Sequence, residues 1–218
     1  MIRFKNAFLQ GDLKMKIWDF YAPIYKNVVH GDRKYYGQMY EWVKEVINGK
    51  KVLEIATGPG LFAKNVAESA AEMIATDFSE GMILQAEKNA DIPNLKFEVA
   101  DATNLPYEDF SFDVVIVSNA LHAIPDLDKA MSEIARVLKS DGILIAPQFI
   151  HLGPGIKRKF FSSILKMAGL KFYNEWTDSG FADFLVSKGW KIVKQESLPS
   201  RIPILYTQSI KEKQSEIL

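Results

Sequence analysis

Polar residues fall at the ends of four successive apolar runs. Val52-Leu53-Glu54-Ile55 carries an acid, Glu54, near its end and opens into Ala56-Thr57-Gly58-Pro59-Gly60. Met73-Ile74-Ala75-Thr76 ends in Asp77, and the run over 95–100 ends in Asp101. Asp113-Val114-Val115-Ile116-Val117 ends in Ser118-Asn119. In an open α/β sheet the carboxyl ends of the strands are where ligands bind. A glycine-rich turn between a strand and a helix brings backbone N–H groups close to a ligand. A side chain at Gly58 or Gly60 would block that approach or forbid the turn. Asp77 sits about where a second parallel strand places an acid beside a ribose. The chemistry on offer is the holding of a nucleotide-like ligand.

The elements that must position these residues alternate. Strand patterns cover Lys51–Ile55, 72–76, 95–100, 112–117 and 143–146. Helical patterns cover 61–69, 80–89 and 127–138. Alternation of this kind predicts a parallel sheet with helices on both faces. Before it, residues 18–47 read as two helices split by His30-Gly31-Asp32 and crowded with Trp and Tyr. After it come helices over 155–168 and 179–187, then strands over 190–197 and 202–209. Only Leu198-Pro199-Ser200-Arg201 joins the last two, too short a link for a parallel crossover, so that pair must be antiparallel.

The chain has 218 residues, enough for one α/β domain with a sizeable core. Lys and Arg total 27 and Asp and Glu total 27. Without a basic surplus, non-specific binding to nucleic acid is not expected. There is no cysteine, which excludes disulfides, thiolate metal sites and a cysteine nucleophile. No metal site is expected. Residues 1–6 lead into no signal-peptide core, and no run reaches the roughly 20 apolar residues of a membrane helix. The expectation is a cytoplasmic protein.

Taken in order, several motifs resemble those of the class I S-adenosylmethionine-dependent methyltransferases, in particular the small-molecule, quinone-biosynthesis-like group (methyltransferase type 11). The resemblance runs over about 18–197, through residues 52–60, 76–82, 100–106, 110–115, 119–122 and 136–142. The family's loop has three alternating glycines, and Ala56 stands here in the first place. The resemblance implies a three-layer Rossmann-like sheet, mostly parallel, with one antiparallel strand near the C-terminus. It implies a single domain over 1–218: a helical lid (1–47), a cofactor-binding core (48–150), a helical cover (151–176), and a C-terminal helix and hairpin (177–218). It implies S-adenosyl-L-methionine as cofactor, with S-adenosyl-L-homocysteine as product.

Residue by residue, the family pattern gives Asp77 both ribose hydroxyls, whereas the residue alone would serve as the cap of the following helix. Asp101 becomes the acceptor for the adenine amino group, with the Ala102 N–H beside it, or else caps a turn. Phe78 and Met82 flank the adenine or pack the core. Glu54, buried by its strand position, needs partners and braces the loop amides. Ala56, Thr57, Gly58 and Gly60 form the loop, and Asn119 faces it. Ala22-Pro23-Ile24-Tyr25 matches an Ala-x-x-Tyr pattern, so Tyr25 closes over the methionine tail or is a core aromatic. His122 follows Asn119 by three residues and is the candidate base or orienting donor, or else a structural histidine.

The expected activity is in-line methyl transfer to a small molecule by a monomer or homodimer. With no cysteine and no Pro-Pro-aromatic clamp after the fourth strand, a nucleic acid acceptor is disfavoured. Two rival readings stay open. Gly58-x-Gly60-x-x-Ala63 with Asp77 also fits an NAD(P)-dependent oxidoreductase. Against that, about 50 residues precede the loop, and Tyr40 and Lys44 lie on its wrong side. The third reading is a protein that holds S-adenosylmethionine without turning it over.

Overall fold

Strand β1, Lys51–Ile55, is buried along its last four residues. A strand apolar on both faces belongs inside a parallel sheet covered on both sides. β1 pairs in parallel with β2 (Glu72–Asp77) and with β4 (Phe112–Ile116). The computed structural model describes residues 33–150, 173–200 and 203–212. β3 (Leu95–Val99) lies outside β2, and β5 (Leu138–Ile145) lies outside β4.

The strand order is β3-β2-β1-β4-β5-β8, with β7 on the far edge of β8. β8 (Ile204–Lys211) runs antiparallel to both β5 and β7 (Trp190–Leu198). It is therefore the one reversed strand among the described residues, and its antiparallel pairing with β7 is what the short 198–201 link requires. A two-residue strand β6, Gln148–Phe149, pairs with Leu205 and Ile204 of β8. It continues the register that joins Ile145 to Gln208, so β6 prolongs β5 past Pro147. Between β7 and β8 the register shifts at Val193, a bulge at the exposed edge.

Helices fill both faces. On one face α1 (Arg33–Ile47) and α2 (Leu61–Val66) share a core with Val52, Met73, Val114 and Ile116. On the other, α4 (Leu127–Val137) and α5 (Asp178–Ser187) pack on Leu53, Ile55, Val115 and Leu144. Helix α3, Glu80–Glu87, links β2 to β3. Three helix starts are capped as their sequences suggest. Ser79 accepts from Met82 N, Asp126 from Lys129 N and Thr177 from Gly180 N.

Several boundaries differ from the sequence patterns. The helix over 61–69 stops at Val66 and tightens into a 3-10 turn, Ala67–Ser69. α3 ends at Glu87, where Lys88 turns extended (ψ 123°) and Asn89 then turns left-handed, φ 56°. β5 starts at Leu138 rather than 143, and β8 runs Ile204–Lys211 rather than 202–209.

α1 is a packed layer. Met39, Val43 and Ile47, one helical turn apart, are all 0% exposed. Its Trp42 ring lies 5.2 Å from that of Tyr206 in β8. The last third of the segment expected as a lid thus packs in the core. Residues 1–32, with Tyr25 and His30, lie outside the described residues, as do the helix expected over 155–168 and His151.

Candidate functional site

The sheet register sets the candidate residues level. Ile55 pairs with Thr76, which brings Ala56 beside Asp77. Glu54 pairs with Ile116 and Ile116 with Ile145, so Ser118 follows beside Ala56 and Pro147 beside Ser118. Asn119 N donates to Pro147 O at 2.7 Å, continuing that alignment. Strand order reverses between β1 and β4, the place where open α/β sheets form a binding crevice.

The backbone at that crevice is left-handed on both sides. Ala56 has φ 57° and Asn119 has φ 52°. For a residue with a Cβ this conformation costs about 1–2 kcal/mol, and such costs gather at functional sites. The first place of the loop thus calls for a glycine-like backbone, and Ala56 meets the requirement under strain.

The two loop glycines separate in role. Gly58 has φ 57°, and a Cβ built there meets nothing within 4 Å. The space before it is open to a ligand. Gly60 has φ 73°, but a Cβ there would stand 2.8 Å from the Phe97 ring and 2.9 Å from Ala86 Cβ. Its absent side chain lets the loop close against α3 and β3.

Asp77 Oδ2 accepts from Gly58 N at 2.8 Å, and Oδ1 accepts from Ser79 N at 2.9 Å. The cap of α3 is Ser79, not Asp77. The acid of β2 is held against the loop of β1. Phe78 beside it is 46% exposed, while Met82 is 2% exposed and lies in the interior. Asp101 Oδ1 accepts from the Thr103 amide and hydroxyl, both at 2.8 Å, which fixes the turn carrying Ala102.

Glu54 is 1% exposed and takes the Thr57 hydroxyl at 2.6 Å. The Ala63 amide also bonds it. Glu54 thus ties the loop through a hydroxyl and the first turn of α2 rather than through loop amides. Burial pushes its carboxyl up to about 8; the Thr57 bond opposes this and the Asp77 charge adds to it.

Asn119 Oδ1 is buried and has no hydrogen-bond partner. A buried amide oxygen without a donor costs about 1–3 kcal/mol, so its presence at the crevice fits a ligand that brings a donor. His122, on the 3-10 turn Leu121–Ala123, is 9% exposed. Its Nδ1 lies 2.7 Å from Gln148 Nε2. Gln148 was not among the residues singled out by sequence. The signal was there, since it is the polar residue just past the fifth apolar run.

Behind the edge, Arg136 braces the segment leading into β4. It donates to the carbonyls of Leu105 (3.0 Å) and Tyr107 (2.7 Å) and pairs with Asp109 and Glu133. Glu133 in turn accepts from Leu105 N at 2.8 Å. Among the described residues, no three of His, Cys, Asp and Glu gather as a metal site, and no helix is long and apolar enough to cross a membrane.

Residues 53–146 match the family model described as a methyltransferase domain. The chain is 32% identical over 158 residues to a demethylmenaquinone methyltransferase of Paenarthrobacter aurescens, covering 70% of this chain and 61% of that one. It is 33% identical over 132 residues to a ubiquinone/menaquinone biosynthesis C-methyltransferase of Rickettsia massiliae, covering 56% and 53%. The chain thus spans between half and two thirds of these relatives' lengths.

Among solved structures, it superposes on a chain from the complex between the Haloferax volcanii Trm112 methyltransferase activator and a methyltransferase. The TM-score is 0.74 at 18% identity, over 91% of this chain and 97% of that one. The fold is shared with that solved chain, and residues 53–146 match a methyltransferase domain.

Proposed function

We propose that the protein is an S-adenosylmethionine-dependent methyltransferase that modifies a small molecule. The observation that carries the reading is the pairing of Asp77 with Gly58 beside open space at the crevice. A carboxylate already held at the loop is placed to accept ribose hydroxyls without further ordering. The donor set fits the rest of the cofactor. Phe78 offers a half-exposed ring to the adenine, and Asp101 with the Ala102 N–H offers an acceptor and a donor to its edge. The orphaned Asn119 oxygen suits the ammonium of the methionine tail. Tyr25 is assigned to that tail by the sequence motif alone.

When bound, the cofactor supplies a methyl group already activated on a sulfonium. The chain's own residues bind, orient and exclude water, and alignment of this kind contributes on the order of 7–11 kcal/mol. No catalytic triad is required. The names of the relatives support a small acceptor of the quinone type. An oxidoreductase reading loses ground to the reversed strand β8, which stands where a dinucleotide fold has a sixth parallel strand.

The test is transfer. Purified protein is incubated with methyl-labelled cofactor and a metabolite extract, and labelled products are identified by mass spectrometry. A labelled small molecule supports the reading. Cofactor binding with no labelled product from any extract would leave a binder in place of an enzyme.

A further inference from the structure

β3 ends the sheet on the side of β2, and among the described residues no strand pairs with its outer edge. The opposite edge, β7, is broken by the bulge at Val193, a device that turns an edge away from further strands. β3 has no such break, and Leu95–Val99 keeps one register with β2 throughout. A groove lined by Glu87, Ala90 and residues 95–98 lies against it.

The backbone phase is fixed at both ends of β3. Met73 N donates to Asn94 O at 2.8 Å, and Ala100 N donates to Asp77 O at 3.0 Å. Residues 94, 96, 98 and 100 therefore face β2, and the alternate residues turn their N–H and C=O groups outward. Leu95 N is taken by Ile92 O at 3.0 Å. The Leu95 carbonyl and both backbone groups of Phe97 and Val99 are left for another strand. Val99 is 53% exposed and the Lys96 side chain 65%.

The strand Leu95-Lys96-Phe97-Glu98-Val99 is complementary to its own reverse. Set antiparallel about a two-fold axis at Phe97, Lys96 stands opposite Glu98 of the partner subunit and Leu95 opposite Val99 of the partner subunit. An axis at Lys96 would oppose lysine to lysine, and one at Glu98 glutamate to glutamate, both unfavourable. A lysine on a sheet edge ordinarily repels added strands. Glu98 answers it here, but only for a strand that carries the same pair in reverse.

We propose that the β3 edge is a homodimer interface, at which two copies of the chain pair antiparallel about Phe97 into one continuous sheet. Each Phe97 N–H meets the Phe97 carbonyl of the partner subunit, and each Val99 N–H meets the Leu95 carbonyl of the partner subunit. The contact is isologous and closes at two copies. A strand of five residues buries little surface, so the dimer is weak and forms with concentration. It is independent of the methyltransferase reading.

The experiment is sedimentation of the full-length chain in a concentration series reaching about 0.5 mM, where even a millimolar constant shows. The expected result is a reversible dimer that weakens as salt rises. A monomer at every concentration overturns the proposal. Lys96→Glu and Glu98→Lys each oppose like charges at both symmetric positions, and each alone should dimerise about tenfold more weakly. Mixed in equal amounts they should associate nearly as tightly as the wild type, because every pair across the axis is again opposite in charge. Mixing restores neither the Lys96 pair with Glu72 (3.5 Å) nor the bond from Tyr107 to Glu98 (2.7 Å), so recovery comes only from across the axis. A mixture no tighter than its components overturns the proposal, as does a dimer that neither variant weakens. Val99→Pro removes an outward N–H that β2 does not use, at an edge where proline is tolerated, and should abolish the dimer. A folded Val99→Pro variant that still dimerises puts the contact elsewhere and overturns it too.

Discussion

Asp77 ends β2 and Gly58 lies in the loop that follows the neighbouring strand β1, and the carboxylate of the first accepts from the amide of the second at 2.8 Å. This side chain anchors the loop in the free protein, and under the proposed function it also accepts the ribose hydroxyls. Asp77→Ala should weaken S-adenosylhomocysteine binding by about 10- to 150-fold, the range set by losing roughly 1.5–3 kcal/mol. It should also lower the stability of the free protein by about 1–2 kcal/mol, since two backbone donors lose their acceptor. Calorimetry and urea melts measure the two effects separately. Unchanged affinity with lowered stability would make Asp77 an anchor alone.

Ala56 should be better as glycine. Its φ of 57° costs about 1–2 kcal/mol, while glycine gives back about 0.4–1 kcal/mol through the unfolded chain. Ala56→Gly should raise the melting temperature by about 2–4 °C. A lower melting temperature would show that the alanine methyl contributes packing that outweighs the strain.

Gly58 and Gly60 should fail differently. Gly60→Ala forces a Cβ against Phe97 and Ala86 in a left-handed turn, and should cost about 2–4 kcal/mol of stability. Gly58→Ala meets nothing and should cost about 1 kcal/mol, but it fills the space before the loop. Its cofactor affinity should fall at least tenfold. Equal stability losses in the two variants would contradict the separation of roles.

Glu54 predicts a pH dependence. Its carboxyl is raised from 4.5 to about 8 in the folded protein, chiefly by burial. The folded state holds this proton where the unfolded state has lost it, so the contribution is complete below 4.5 and is lost as pH rises toward 8. The loss proceeds at up to about 1.4 kcal/mol per pH unit. Glu54→Gln removes the titration, so its stability relative to wild type should climb between pH 5 and pH 8. Urea melts at both values decide this, and a difference independent of pH would remove Glu54 from the account.

Much of this was legible in the sequence, for physical reasons. β1 was bounded at Lys51 and Ile55 because a doubly buried parallel strand is a continuous apolar run between polar residues. The reversed β8 followed from a link too short for a crossover. β5 was read five residues late because Lys139-Ser140-Asp141 looks like a turn, although Leu138 already pairs with Phe112. β6 was hidden behind Pro147, which breaks any strand pattern. In the candidate site, the acids stand out in the sequence by their places at strand ends. Their partners do not: the Asp77 bond to Gly58 spans 19 residues and the Gln148 bond to His122 spans 26. Pairings of that kind depend on register, which the folded sheet sets. Nor could the two glycines be told apart, because what Gly60 makes room for comes from α3 and β3.

The most direct test of the central claim is a calorimetric titration of the wild-type protein with S-adenosylhomocysteine and, separately, with NAD. The account predicts saturable binding of the first and no heat from the second, with the first weakened about 10- to 150-fold in Asp77→Ala. Saturable NAD binding with no response to S-adenosylhomocysteine would contradict it.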